Sequence, residues 1–487
     1  MQARDLESDP NPRGGRGGAS GEDGRGPSRV VSIPLSLLGR FAVSGLLVAA
    51  WGADVVERVG IGGARAASAS VQEGEERTAW RPRSIVLDDR VSEILAAVSG
   101  ENLRATVEAL ARFGNRNTFS KPASESDGIG GARRWIRARF EEIGEANGGR
   151  LRVSEDAFRT TLPSDVATKL GLEDVDAANI VAVLPGVDPV SRERIILVGA
   201  HYDSRNEERY DVEGPAPGAN DNASGVAAVL ELARVLAPHG FGATLVFVAF
   251  SGKEQGLWGS AHYARTAVRD GASIEAVLIN DAIGNARGGG GVADATGVRV
   301  YAPGPLDSKS QDLARFLEER GEAYVPRFDV RPVHLADRRN RTGDQKPFQE
   351  AGFAAVGLVE ARENFERQDS KTDTPDGVDE RLLRDVTRVN AAVLASIAGG
   401  PPMPVRVARN WDASHYDTRI QWEPGSSVGV AGFRVLIRET TSSRWQWQVD
   451  AGDSGDVTIR GVSLDDHVMA LVAFDAKGDE SLPVPVR

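Results

Sequence analysis

The chain contains no cysteine in 487 residues. That excludes a disulfide framework and a thiolate metal site, and it removes cysteine usage as a guide to redox compartment. Basic charge is not in excess either: 58 Lys and Arg stand against 70 Asp and Glu, a formal net charge of -12. With no basic stripe interleaved with aromatics, nucleic acid is excluded as an expected partner. A membrane-spanning run is also lacking. The most apolar stretch, Phe41-Ala42-Val43-Ser44-Gly45-Leu46-Leu47-Val48-Ala49-Ala50-Trp51, falls short of the ~20 residues a bilayer requires, and starting it at Val30 would put Arg40 in mid-span.

What is present divides the chain. Residues 1–29, rich in Gly, Pro and Arg, cannot bury enough apolar surface to fold and are expected to be disordered. Residues 30–70 hold Arg40, the apolar run and small residues after it, the pattern of a signal peptide with a long basic leader, or of an anchor, followed by a linker. The expectation is export to the periplasm or the extracellular space, with membrane attachment only if the segment stays uncleaved. At 41% hydrophobic and 26% charged, the remainder is ample for two globular cores. Gly399-Gly400-Pro401-Pro402 marks the boundary between them, giving domains at 80–399 and 403–487.

The first domain is arranged around residues 194–260. Ile195-Ile196-Leu197-Val198 reads as a buried strand that releases His201-Tyr202-Asp203-Ser204. Asp221 and Asn222 then precede a helical pattern over 226–236, so they cap that helix or bind a ligand. A second strand over 244–250 releases Lys253 and Glu254, and a third over 276–280 releases Asp281. In open α/β sheets ligands bind beyond the carboxyl ends of the strands, so these groups should converge. One imidazole and three carboxylates suit zinc, and a shared carboxylate can bridge two ions.

The segments Ala200-His201-Tyr202-Asp203-Ser204, Gly218-Ala219-Asn220-Asp221-Asn222-Ala223-Ser224-Gly225, Glu254-Gln255-Gly256-Leu257-Trp258-Gly259-Ser260 and Asn280-Asp281-Ala282-Ile283-Gly284 resemble the motif series of the dinuclear zinc aminopeptidases of metallopeptidase family twenty-eight. The resemblance covers roughly residues 85–398. It implies a phosphorylase/hydrolase-like α/β/α sandwich with a mostly parallel sheet, and two zinc ions bridged by Asp221. His201 and Asp281 would complete one ion and Glu254 would serve the other, with Asp203 orienting His201. It further implies hydrolysis of amino-terminal peptide bonds by metal-activated water, the substrate being peptide or protein N-termini.

Three positions depart from that family. Where it places a general-base glutamate, this chain has Lys253, whose ordinary pKa of about 10.4 would have to fall by roughly three units to serve near neutral pH. Asp369 stands where the family supplies its last histidine ligand, and Gly343-Asp344-Gln345 keeps only the aspartate of an Asp-His pair. His334 is the one spare imidazole near enough in sequence to substitute, and Asp337-Arg338 beyond it reads as a surface ion pair. Two functions follow: a metallopeptidase, or a catalytically inactive pseudopeptidase retained as a binding or structural module.

Elsewhere the spacing predicts a helix pair over 91–113, a turn at Asn115-Arg116-Asn117-Thr118, a helix over 129–143, strands near 151–153 and 179–184, and alternating strands and helices to residue 398. Gly288 to Gly291 reads as a surface loop near the cleft. The second domain shows short alternating strands, the pattern of a small all-β sandwich resembling a fibronectin type III module. Trp422, Phe433 and Val435 are its expected core, and Trp445 with Trp447, two apart, suggests one shared face that would suit a carbohydrate.

Overall fold

The computed structural model describes residues 79–487 apart from 306–307, 336–341, 411–415 and 427, so the leader, its apolar segment and the Asp337-Arg338 pair lie outside the described residues. An eight-stranded sheet is built from β1 (Arg152–Thr161), β2 (Asp174–Leu184), β3 (Arg194–His201), β4 (Thr244–Phe250), β5 (Ser273–Asn280), β6 (Gly297–Tyr301), β7 (Asp329–Val333) and β8 (Ala355–Glu360). Their spatial order is β1-β2-β4-β3-β5-β8-β6-β7. The central pairs β4/β3, β3/β5 and β5/β8 are parallel, as is β6/β7, whereas β1/β2, β2/β4 and β8/β6 are antiparallel.

The helices of eight residues or more are α1 (Asp89–Ala96), α2 (Gly100–Ala111), α3 (Gly128–Ala146), α4 (Gly225–Leu236), α5 (Trp258–Arg269), α6 (Lys309–Tyr324) and α7 (Glu380–Gly399) among the described residues. Alternation along the strands sorts them into layers. Ile196, Val198 and Ala200 of β3, with Leu245, Phe247 and Ala249 of β4, join the core formed with α1 to α4, α6 and α7. Leu197, Val246, Val248 and Phe250 face the other way, onto Ala264 and Ala267 of α5 and onto Phe348. A sheet covered on both faces needs apolar residues at every position, which is why these strands read as unbroken apolar runs. The crossover β3–α4–β4 runs to one side of β3 and β4–α5–β5 to the other, opening a crevice at the carboxyl ends of these strands.

Three elements differ from the sequence expectation. The strand β7 was not anticipated, because it contains Pro332; it pairs only with β6, and an edge strand tolerates a residue without an N–H. The helix α5 was not anticipated, its residues being mostly small or polar; its Gly259 lets it approach β2, where a Cβ would lie 2.2 Å from Asn179 Oδ1. The strands near 151–153 and 179–184 extend into the paired ladder of β1 and β2.

Beyond Gly399 come β9 (Val405–Asn410), β10 (Thr418–Glu423), β11 (Gly432–Glu439), β12 (Trp447–Gly452), β13 (Asp456–Ile459) and β14 (His467–Phe474), in two antiparallel sheets, β9-β10-β13 and β12-β11-β14. Arg81–Pro82 pairs with β12. Trp422, Phe433 and Val435 fill the core between the sheets as expected. The shared tryptophan face does not exist. Trp447 packs with Trp80 on that core, whereas Trp445 precedes β12 and is buried against Leu436, Ala470 and Val472 on the opposite side, so no two-ring platform is presented.

Candidate metal centre

Each functional side chain sits at the tip of a strand or at a helix start. His201 is the last residue of β3, Glu254 follows β4 in the short helix Lys253–Gly256, and Asp281 directly follows β5. Because β4, β3 and β5 are parallel neighbours, their tips adjoin. Asp221 arrives through the irregular turn Ala219–Ser224, where its backbone is not helical. The open question between capping and binding is resolved by division of labour: Asn222 Oδ1 accepts the N–H of Gly225 at 3.1 Å, freeing the Asp221 carboxylate to face His201. Gly225 must be glycine, since a Cβ there would lie 2.4 Å from Asn280 O.

Among the described residues two groups of side chains could hold a metal ion, His201/Asp221/Asp281 and Asp221/Glu254/Asp369, with donor atoms in each within 4.8 Å of one another. All five residues singled out as ligands come together, and Asp221 is common to both groups. His334 does not join them; it is exposed and its Nδ1 meets Gln311 Oε1.

In the first triad, buried His201 Nε2 lies 3.1 Å from Asp221 Oδ1 and 3.5 Å from Asp281 Oδ1; burial and Lys253 work against a charge on the ring, but Asp281, Asp203 and Asp221 outweigh them and raise its pKa well above the ordinary value. On the other side of the ring, Nδ1 is 3.0 Å from the backbone carbonyl of Asp203, against 3.6 Å from that residue's Oδ1. The Asp203 carbonyl only accepts, so Nδ1 carries a proton; Nε2, the nitrogen facing the carboxylates, is the one a metal would bind on displacing its proton. The Asp203 carboxylate instead accepts the N–H groups of Lys253 (3.2 Å) and Glu254 (2.9 Å), so Asp203 positions both triads, one through its backbone and one through its side chain. An imidazole nitrogen and two carboxylates, buried and converging, form a donor set that fits zinc.

The second triad is different. Lys253 Nζ lies 2.8 Å from Glu254 Oε1, 3.3 Å from Asp281 Oδ2 and 3.7 Å from Asp221 Oδ1. Arg205 binds Glu254 Oε2 through Nε at 2.8 Å and Asp369 Oδ2 through Nη2 at 2.5 Å. Both oxygens of Glu254 are thus committed to cations. Burial works against a charge on Lys253, but Asp221, Asp281 and Glu254 outweigh it and hold the ammonium pKa above its ordinary value. This corrects the route by which Lys253 could serve as a base: its environment moves it in the wrong direction. Burial would raise Asp221 too, yet Lys253 and His201 hold it well below the carboxylate range. Asp369 is pushed up to about 7 by burial and by repulsion from Asp221 and Glu254.

Several supporting residues have no motif of their own. Buried Arg116 donates to the carbonyls of Tyr202, Leu110, Pro217 and Gly218, tying α2 and the β3 tip to the turn that carries Asp221. Asp373 accepts the N–H groups of Asn220 and Asp221, each at 2.9 Å, and Gln368 Nε2 donates to Asp221 Oδ2 at 2.6 Å. Glu360, at the end of β8, holds the Asn220 side chain and the N–H of Asn285. Arg205 and Gln368 were findable as the basic and amide residues adjoining the His201 and Asp369 segments. Arg116, in an ordinary-looking turn, carried no signal.

Residues 179–394 match Peptidase family M28. A probable zinc metalloprotease of Pyrenophora tritici-repentis is 32% identical over 394 residues, covering 75% of this chain and 89% of that one. One from Pyrenophora teres f. teres is 30% identical over 472 residues, covering 90% and 96%, and one from Pyricularia oryzae is 34% identical over 400 residues, covering 75% and 78%. Among solved structures, LapA of Legionella pneumophila is similar at a TM-score of 0.51 and 19% identity, covering 65% of this chain and 79% of that one, a likeness of fold alone. With relatives above 30% identity aligned along most of both chains, and the motif series seated at adjoining strand tips, this chain belongs to Peptidase family M28, a family of zinc metallopeptidases.

Proposed function

We propose that the chain is a zinc-dependent exopeptidase of the aminopeptidase type, cleaving the amino-terminal bond of peptides or proteins. The observation that carries this reading is the buried convergence of His201 Nε2, Asp221 Oδ1 and Asp281 Oδ1, behind which the carbonyl of Asp203 holds the proton at His201 Nδ1. A zinc ion there would supply Lewis-acid polarisation of the scissile carbonyl and acidify a water. Asp373 and Gln368 orient Asp221. Lys253 Nζ, held by Glu254 at 2.8 Å and Asp281 at 3.3 Å, would add a positive charge of the kind that stabilises a developing oxyanion. Export through the 30–70 segment, the 80–399 and 403–487 division and a fibronectin type III-like character for the latter belong to the same proposal.

One observation favours the second reading, an inactive pseudopeptidase: the Lys253 ammonium sits where the family has its base. The full chain assayed on aminoacyl chromogenic amides with zinc, cobalt or manganese separates the two. The enzyme reading expects turnover that Asp221→Ala abolishes. Metal-loaded protein without turnover on the whole panel supports the second reading, and metal-free protein refutes the metallopeptidase.

A further inference from the structure

We infer that this chain binds a single metal ion, at His201/Asp221/Asp281, and that the tethered cations of Lys253 and Arg205 occupy the position of a second one. The inference rests on the metallopeptidase reading and concerns which of the two triads accepts metal. Three observations carry it.

The first is occupancy. Glu254 and Asp369 distinguish the second triad from the first, and both oxygens of Glu254 are bound, Oε1 to Lys253 Nζ at 2.8 Å and Oε2 to Arg205 Nε at 2.8 Å. A zinc–carboxylate bond is about 2.0–2.2 Å, so an ion could reach Glu254 only by displacing one of these cations. The Lys253 and Glu254 side chains are 9% and 8% exposed, so a displaced ammonium would find little water, whereas Arg205 is 24% exposed.

The second is that the same cations reach beyond Glu254. Arg205 also holds Asp369, and Lys253 also meets Asp281 and Asp221, so every member of the second triad faces at least one of them. In the first triad Asp221 and Asp281 also meet Lys253, at 3.7 and 3.3 Å, but Arg205 pairs with neither and the nearest charged groups to His201 Nε2 are the two carboxylates.

The third is charge. The four carboxylates that could touch metal are Asp221, Asp281, Glu254 and Asp369. Lys253 and Arg205 offset two of these charges, and what remains is at most the charge of one divalent ion. Asp203 and Asp373, one layer behind, are occupied by backbone N–H groups and lie beside buried Arg116. A second divalent ion would leave a buried excess of positive charge. The substitutions at 253 and 369 are therefore one change: a lysine supplies the missing charge, and the aspartate at 369 serves as partner to Arg205.

Cobalt titration of the metal-free full chain, followed by its visible absorption and by electron paramagnetic resonance, reads the stoichiometry without recourse to activity. Wild type is expected to saturate at one equivalent with an uncoupled signal. Asp369→Ala should also take one, and His201→Ala none. Lys253→Glu, or Arg205→Gln if that variant does not fold, should admit a second equivalent with at least tenfold tighter affinity than any second binding to wild type. Two tight equivalents in wild type, loss of an equivalent in Asp369→Ala, or both variants native by circular dichroism yet saturating at one would overturn the inference. No binding by wild type would instead overturn the reading beneath it.

Discussion

Removal of the Asp203 carboxylate separates two ways of holding the centre. The group is fully buried and accepts the N–H groups of Lys253 and Glu254 at the start of a short helix, with Thr118 Oγ1 at 3.4 Å. Burial raises its pKa, but His201 and the Glu254 N–H prevail and keep it below the ordinary aspartate value, so the carboxylate is charged. In Asp203→Ala both N–H groups lose their acceptor. At roughly 1–3 kcal/mol for each buried donor left unsatisfied, the expected destabilisation is about 2–6 kcal/mol. Zinc affinity should fall less, near the lower end of the 10- to 100-fold range typical of groups behind a ligand, because His201 Nδ1 bonds the backbone carbonyl that the substitution keeps. Asp203→Asn retains one acceptor oxygen and should recover about half of the stability. Urea denaturation followed by circular dichroism, with zinc competition against a chromogenic chelator, measures both quantities. A loss of stability below about 0.5 kcal/mol, the level of an ordinary surface change, would refute the account of the carboxylate. A zinc affinity more than 100-fold weaker with stability intact would show that the carboxylate, and not the carbonyl, orients His201.

Two further predictions lie outside the first triad. Buried Glu480 accepts from Arg83 at 2.6 and 2.9 Å, from Arg320 at 2.8 Å and from Arg434 at 2.5 Å; burial opposes its charge, but the arginines hold its pKa down at about 2 against an ordinary 4.5. A depressed acid stabilises the fold above the unfolded pKa and loses that contribution as pH falls through the folded one, so about 3 kcal/mol should disappear between pH 4.5 and 2. Glu480→Gln should flatten that limb of the stability profile, and an unchanged limb would refute the assignment. Arg116→Met leaves four buried carbonyls without their donor and should cost on the order of 4 kcal/mol while weakening zinc binding through the Asp221 turn, measured by the same denaturation and competition titrations.

The central strands were legible because burial on both faces writes itself into unbroken apolar runs, and the residues that end such runs are the ones a parallel sheet brings together. His201, Glu254 and Asp281 could be found for that reason, each by its position after a strand. β7 was hidden by Pro332, which only an edge position permits, and α5 by its small and polar residues, whose helical state is settled by packing against β1, β2 and Gln345–Glu350. The tryptophans at 445 and 447 were misjudged because the strand begins only at Trp447, so the assumed alternation does not apply to both.

The order of residues along the chain by itself determined the layers around the eight-stranded sheet, the parallel strands at its centre and the identity of the donor groups at their tips, since these follow from local periodicity and from where each run stops. Tertiary structure alone decided what each donor faces. The carboxylate of Asp203 turned to the Glu254 backbone, Arg116 tied three distant carbonyls to that of Leu110, and Lys253 and Arg205 came to share Glu254 and its neighbours. Such contacts join positions from 49 to 164 residues apart in the case of Arg205 alone. Ion pairing depends on separation in space and on exclusion of water, and neither is written in the spacing of residues along a chain.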